Sequence, residues 1–187
     1  MILYIWRHPK PMNTEGFCIG QTDVKVDKRK IKRLANKIER FVRIKQLPKI
    51  IWLSPLQRSL KVGEILSQRG FHCQVSPELS EINFGEWDGQ LWAQIEKKEI
   101  DDWCNNFANF APNNGESLQQ LFNRVEEWLN ARIFEEGGKI ESIPILVVGH
   151  AGWINAAKII ATSQDIPKVA AEWPRSVNYL QYSRLDF

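Results

Sequence analysis

Arg7 and His8 stand directly after an apolar run, Ile2-Leu3-Tyr4-Ile5-Trp6. A guanidinium is a permanent cation with a rigid fork of donors. An imidazole can act as a nucleophile or exchange a proton near neutral pH. Side by side at the end of a buried strand, these groups suit holding a phosphate and attacking it. The chain has three histidines, and a second, His150, closes another apolar run, Ile145-Leu146-Val147-Val148-Gly149. One such junction carries little weight. Two, near opposite ends of the chain, point to a site assembled by the fold.

Arg58 is the next residue of interest. It follows the run Lys49-Ile50-Ile51-Trp52-Leu53 and the sequence Ser54-Pro55-Leu56-Gln57. Ser54 at the N-cap, Pro55 at N1 and Gln57 in a Ser-x-x-Gln capping box predict a helix start, with Arg58 in its first turn at about N4. A cation there opposes the helix dipole by roughly 0.3–1 kcal/mol. The conflict disappears when an anion sits between Arg58 and the helix end, a place that already favours phosphate. His150 is followed by Ala151-Gly152, which opens another helix. Its ring and the free backbone N–H groups at Ala151 can both reach an anion. His72 lies near a short strand without polar companions and reads as a surface or packing residue.

An acid is also needed for chemistry on a phosphate ester. Glu81, Glu86 and Asp88 lie in the stretch Glu81-Ile-Asn-Phe-Gly-Glu-Trp-Asp-Gly89, which is aromatic and flexible together. A carboxyl group in partly apolar surroundings has its pKa raised and can serve as a general acid. Spacing alone does not choose among the three, and all could equally be solvated loop acids.

The elements that must position these groups alternate short apolar runs with longer amphipathic segments, which predicts an α/β fold. Strands are expected at 2–6, 49–53, near 72–75, at 144–148 and, at a sheet edge, over 177–185. Helices are expected from an Asp27 cap to about Lys45, after Ser54 until just before Gly70, and over 91–103, 117–134 and 151–162. The stretch from Asn105 to Glu116 reads as a rim or lid. Strands ending in Arg7-His8, Ser54-Pro55 and Gly149-His150 should converge, because open α/β sheets bind ligands outside the carboxyl ends of their strands.

The bulk numbers fit one domain over residues 1–187 with a sizeable core. The chain is 43% hydrophobic and 25% charged, with a net charge of +3, too small to argue for nucleic acid. Basic residues dominate from Lys25 to Lys49, which reads as a solvated helix face. Cys18, Cys73 and Cys104 are odd in number, widely spaced and without a CxxC, as expected of reduced thiols in a cytoplasmic protein. The first apolar run is too short for a signal sequence, and no segment approaches the length of a membrane span.

Taken together, the motifs resemble the histidine phosphatase superfamily, also called phosphoglycerate mutase-like, over nearly the whole chain. They are Arg7-His8-Pro9, Gly20-Gln-Thr-Asp23, Ser54-Pro-Leu-Gln-Arg58, Leu79-Ser-Glu81 with Phe84-Gly-Glu-Trp-Asp-Gly89, Pro112 to Ser117, and Gly149-His150. Each is weak alone, and their shared order is the strong signal. The resemblance implies a three-layer α/β/α fold with a mostly parallel central sheet and helices on both faces. It also implies His8 as a nucleophile forming a phosphohistidine. Arg7, Arg58 and His150 would hold the phosphoryl oxygens, and Glu81 would protonate the leaving alcohol. Contacts to substrate are implied at Asn13, Gly20 and Ala151. The substrate would be a small phosphorylated molecule. No cofactor or metal is implied, because two arginines supply fixed positive charge.

Two departures from the family pattern stand out. Proline replaces glycine after His8, removing one backbone N–H from the pocket wall. Position 14 is Thr where relatives often carry Asn, and Asn13 takes that place if the loop is one residue shorter. Arg7-His8-Pro9-x-Pro11 followed by Gly16-Phe-Cys18-Ile-Gly20-x-x-Asp23 looks most like the α-ribazole-5′-phosphate phosphatases of cobalamin assembly. Phosphoglycerate mutases of the family carry an extra segment after the catalytic glutamate, for which this chain has no room. Trp87, Trp92, Phe107 and Phe110 could offer a face to a benzimidazole, although aromatics at such spacings more often pack a core.

Overall fold

The computed structural model describes residues 1–136 and 143–187. Its elements run β1 (Ile2–Arg7), α1 (Lys28–Lys45), β2 (Ile50–Leu53), α2 (Gln57–Ser67), β3 (His72–Val75), α3 (Lys97–Asn105), α4 (Leu118–Glu136), β4 (Ile145–Gly149), α5 (Ala151–Ala161) and β5 (Tyr182–Asp186). The five strands form one sheet in the order β3-β2-β4-β1-β5. The first four are mutually parallel and β5 is antiparallel to β1. This is the expected α/β class with a mostly parallel sheet.

The apolar runs are continuous because both sheet faces are covered. Side chains alternate between those faces. Leu3, Ile5 and Val147 point into one core layer with α4 and α5. Trp6, Leu146 and Val148 point into the other, against Ile31, Leu34, Ile38 and Val42 of α1 and Val62 and Leu66 of α2. Each such aliphatic side chain, fully buried, contributes roughly 1.5–3 kcal/mol. The edge strand β5 needs only one apolar face, and of its residues only Leu185 is buried.

Asp27 caps α1 as expected, its carboxylate accepting from the Arg29 N–H. The cations of α1 are mostly exposed, as a solvated face requires. Two helix starts differ from the sequence reading. α2 begins at Gln57, with Leu56 rather than Ser54 at the cap position. Ser54 is still held by the sheet, its N–H donating to the Val148 carbonyl and to Ser59 Oγ. The helix therefore cannot open until two residues later, which puts Arg58 at N2. The Gln57 N–H is satisfied from a distant loop, by Asp23 Oδ1 at 2.8 Å. Residues 91–96 are not α-helical either. Leu91 bridges Phe17, a 3₁₀ turn follows over Trp92–Gln94, and α3 starts only at Lys97.

A capping box does exist in this chain, at α4. Ser117 Oγ accepts from the Gln120 N–H, and Gln120 Oε1 accepts from the Ser117 N–H at 2.7 Å. No helix among the described residues is long and apolar enough to cross a membrane.

Candidate active site

The parallel register brings the carboxyl ends of β1, β2 and β4 together. Arg7 pairs with Gly149, and the His8 N–H donates to the Gly149 carbonyl at 3.0 Å. His8 and His150 thus face each other across adjacent strand ends, ring centroids 4.9 Å apart. Arg58, from the first turn of α2, reaches the same spot, and its Nε–H donates to His150 Nδ1 at 3.2 Å. All three are buried: His8 is 4% exposed, Arg58 1% and His150 0%. Such concentration of polar groups at full burial needs compensation or a ligand.

The hydrogen bonds fix both tautomers. His8 Nδ1 lies 2.8 Å from the Pro9 carbonyl, which can only accept. Nδ1 therefore carries the proton, and the Nε2 lone pair is free. Arg58 Nε can only donate, so His150 Nδ1 is the acceptor and its proton sits on Nε2. Among the described residues that Nε2 is buried without a partner, and so is Arg7 Nε. Burial, followed by the Arg58 charge, pushes His8 well below its ordinary pKa, with Arg7 adding to the effect. His150 is pushed down by burial, Arg58 and His8. Both rings are neutral at pH 7. Burial also lowers Arg58, against the opposing pull of Glu81, Asp23 and Asp88. An arginine stays protonated throughout the working range.

The Arg58 guanidinium is anchored on its far side by the carbonyls of Gly20 and Thr22, the latter at 3.0 Å. Asp88 shapes this loop, accepting from the N–H groups of Gly20, Gln21 and Thr22. Gly20 thus spends both backbone groups internally. A Cβ there would lie 2.2 Å from the Ile82 carbonyl, so glycine is needed for close packing. In this arrangement Gly20 aims Arg58 instead of offering a donor. Asp88, one of the three carboxylate candidates, is likewise committed to the loop. Glu86 is exposed and accepts from the side chains of Asn113 and Asn114.

Glu81 is the remaining acid, and it is buried beside the cluster. Its Oε2 accepts from the Gly152 N–H at 3.1 Å, and its Oε1 from the Ile82 N–H at 3.1 Å. The start of α5 thus carries His150 on one side and receives Glu81 on the other. A Cβ at position 152 would sit 2.5 Å from Glu81 Oε1. The Gln21 side chain donates to the Glu81 carbonyl. Arg124 holds the preceding backbone, donating to the carbonyls of Glu78 and Ser80 while pairing with Glu116 at 2.6 Å. Glu116 in turn accepts from the Asn83 N–H at 2.9 Å.

The stretch from Asn105 to Glu116 is therefore fastened on both sides. Glu86 N–H donates to the Asn113 carbonyl, Glu116 N–H to Asn83, and Phe107 N–H to Lys168. It forms a rim that braces the acid loop. The four aromatics pack as core more than as a binding face: Trp87 stacks on Phe110 at 5.8 Å, Trp92 on Trp103 at 5.9 Å, and Trp87 and Phe107 are buried.

Ala151 is the first residue of α5, with its N–H at the open helix end. Asn13 is exposed in a left-handed conformation, φ 56°, and no described hydrogen bond joins its side chain to the histidines. His72 is exposed, remote from the site. The three cysteines are free, and burial pushes the Cys18 thiol up to about 12, which leaves it inert. Among the described residues no cluster of His, Cys, Asp and Glu could hold a metal ion. A cavity of about 540 Å³ lined by Asn105, Asn109, Gln119 and Lys168 shares no residue with the cluster.

Sequence reasoning missed Tyr179. Its ring lies under the Arg7 guanidinium, 3.8 Å from centroid to Cζ, and 5.6 Å from the His8 ring. The sequence reading put it inside a last strand over 177–185, whereas residues 178–181 form a turn and β5 begins only at Tyr182. Gly152 and the Pro9 carbonyl were also passed over as partners of the acid and the nucleophile.

The profile of the histidine phosphatase superfamily (branch 1) matches residues 3–187. An adenosylcobalamin/α-ribazole phosphatase of Escherichia coli K12 is 30% identical over 141 residues, 73% of this chain and 66% of that protein. Its counterpart in Salmonella typhimurium is 26% identical over 71% of this chain and 64% of its own length. The matched region thus spans just under two-thirds of these relatives. Among solved structures, a mycobacterial glucosyl-3-phosphoglycerate phosphatase superposes with a TM-score of 0.80 at 25% identity, covering 98% of this chain and 88% of the other. An α-ribazole phosphatase from Shigella flexneri superposes with a TM-score of 0.74 at 26% identity, covering 100% and 90%.

Proposed function

The chain belongs to the histidine phosphatase superfamily, and on that footing we propose that it is a metal-independent phosphomonoesterase acting through a phosphohistidine on His8. One observation carries this reading. A neutral histidine with a free Nε2 lies beside two buried N–H donors, His150 Nε2 and Arg7 Nε, that have no partner among the described residues. A phosphoryl group supplies the missing acceptors and the electrophile together.

The reaction runs in two displacements. His8 Nε2 attacks phosphorus while its Nδ1–H stays on the Pro9 carbonyl, which supports the positive ring that forms. The P–O bond to the alcohol breaks, and the leaving oxygen takes a proton from the Glu81 carboxyl. A water then gives its proton to the Glu81 carboxylate and attacks phosphorus. The N–P bond breaks, releasing inorganic phosphate and restoring His8. Arg7, Arg58 and His150 hold the equatorial oxygens, and the Ala151 N–H adds the positive end of a helix dipole. Phosphoryl transfer needs chiefly positioning and charge stabilisation, which this set provides.

The finer reading is α-ribazole-5′-phosphate hydrolysis in cobalamin biosynthesis, supported by the Arg7-His8-Pro9-x-Pro11 pattern and by the curated relatives. Phosphorylated sugar acids are the second reading, favoured by the TM-score of 0.80 to the glucosyl-3-phosphoglycerate phosphatase. The internal packing of the Trp87 cluster removes one argument for a benzimidazole platform.

Phosphate release from α-ribazole phosphate, sugar phosphates and nucleoside monophosphates, each with and without chelator, tests both levels. Turnover insensitive to chelator and an acid-labile phosphoryl adduct on His8 are expected. Loss of turnover on chelation, or labelling elsewhere, overturns the mechanism. A flat profile across the panel overturns the α-ribazole assignment alone.

A further inference from the structure

We infer that Tyr179 is a positioning residue for the phosphate site, acting through Arg7. This rests on the reading of the strand-end cluster as a phosphate site. Nothing in the motifs that define that cluster assigns a role to position 179.

Arg7 is the cation of the cluster whose side chain is least enclosed, being only half-buried. Left to itself, a long side chain at a strand end would sample several rotamers, and fixing it costs entropy at the moment of binding. The segment from 177 to 181 removes that freedom in advance. The Val177 carbonyl accepts from Arg7 Nη1 at 2.8 Å. The Gln181 carbonyl accepts from the Arg7 N–H at 2.9 Å, and the Leu180 N–H donates to the Arg7 carbonyl at 3.1 Å. The Tyr179 ring then closes on the guanidinium, 3.8 Å from Cζ. That separation is well inside the range over which a ring quadrupole attracts a cation. The group is pinned at one nitrogen and at one side of its plane. Its Nε–H remains buried and unpartnered.

The backbone is bent to make this contact. Asn178 to Gln181 is a tight turn closed by the Gln181 N–H on the Asn178 carbonyl, and Leu180 within it takes φ 63°. That region is uncommon for residues other than glycine, asparagine and aspartate. Strain of this sort persists where the surroundings over-determine it, and it clusters at functional sites. Here it accompanies a Tyr179 ring that contacts Arg7 and also lies 5.6 Å from the His8 ring. Tyr179 therefore sets the direction of the Arg7 donor relative to the nucleophile.

The test uses Tyr179→Phe and Tyr179→Leu in the full chain. Two quantities are read: inorganic phosphate affinity by calorimetry, and kcat and KM on an aryl phosphate. Phenylalanine keeps the ring, so both should stay within about twofold of the parent. Leucine should weaken phosphate binding by about tenfold, with a matching rise in KM. In an Arg7→Ala background the leucine change should have no further effect on phosphate affinity, because the group it positions is gone.

Unaltered phosphate affinity in Tyr179→Leu overturns the inference, even if that variant melts at a lower temperature. Equal losses in the phenylalanine and leucine variants overturn the ring as the acting group. So does a leucine effect that persists undiminished without Arg7. A parent that binds phosphate but does not turn over would instead sink the catalytic reading. The phosphate-affinity comparison would still judge Tyr179.

Discussion

The strand-end cluster and the Glu81 loop supply opposite halves of one site, and they are held by different means. His8 and His150 are fixed by the sheet itself: β1 and β4 are hydrogen-bonded neighbours, and the His8 N–H continues that ladder onto Gly149. Glu81 has no strand beneath it. It is held by the Gly152 N–H, by Gln21, and by backbone carbonyls that Arg124 grips while paired with Glu116. The cluster therefore shares the stability of the core, whereas the acid depends on a few polar contacts at the rim. The difference suits the roles proposed for them. A nucleophile and its charge clamps must be in place before substrate arrives, and the acid must meet leaving groups of differing shape.

The sharpest break of this comparison is His8→Ala. It should abolish turnover, by about 10⁴-fold or more, because the covalent route is lost. Circular dichroism and the melting temperature should stay near the parent's. Substantial activity in the folded variant would remove His8 as the nucleophile.

Next in size is Glu81→Gln. Alkyl phosphates should slow by roughly 10²–10⁴-fold, and activated aryl phosphates far less, because their leaving groups need little protonation. Gly152→Ala should show the same selectivity more weakly, since its Cβ would push on Glu81 Oε1 from 2.5 Å. Equal slowing of both substrate types would count against the acid role.

Glu116→Ala probes the bracing alone. It frees Arg124 and leaves the Asn83 N–H without its acceptor. Stability should drop by about 1–3 kcal/mol, with alkyl phosphates again hit harder than aryl ones. Inorganic phosphate affinity, a property of the cluster, should hold. A loss of phosphate affinity as large as the loss of alkyl turnover would mean that the two halves are not separately held.

The last effect is graded and concerns pH. Above about pH 6.5 the two site histidines are neutral in both folded and unfolded chains and contribute nothing. As the pH falls through 6.5, the unfolded chain takes up protons that the buried rings refuse. Each ring should then cost about 1.4 kcal/mol of stability per pH unit. The loss continues until the lowered folded-state pKa values are reached. Denaturant melts between pH 7 and 5 measure the slope, and His150→Gln should reduce it. For the same reason His8 keeps its lone pair, and turnover should survive well below pH 6.5. An acid limb at 6.5 would contradict the burial of these rings.

Much of the cluster was legible because it is built from short-range grammar. An apolar run followed by Arg7-His8 or by Gly149-His150 already says that a strand ends in a functional group, and parallel α/β topology says where such ends meet. Spacing alone left Glu81 one candidate among three; the family resemblance singled it out, and packing gives the physical reason. Asp88 turned out to organise the 20–22 loop, and Glu86 faced outward. The helix caps show the same limit. Ser54-Pro-Leu-Gln57 satisfies the capping-box pattern, yet the sheet claims Ser54 and the cap comes from Asp23. The pattern that does form a box, Ser117 with Gln120, reads no differently in sequence.

The sequence by itself determined which strands are buried, which side chains stand at their ends, and which family the chain resembles, because these follow from local periodicity and residue chemistry. Only the tertiary structure decided the hydrogen-bond partners of the two histidine Nδ1 atoms, the contacts that hold Glu81 beside them, and the placing of Tyr179 under Arg7. Those depend on contacts between residues as far apart in the chain as Arg7 and Tyr179, and local pattern holds no record of such distances.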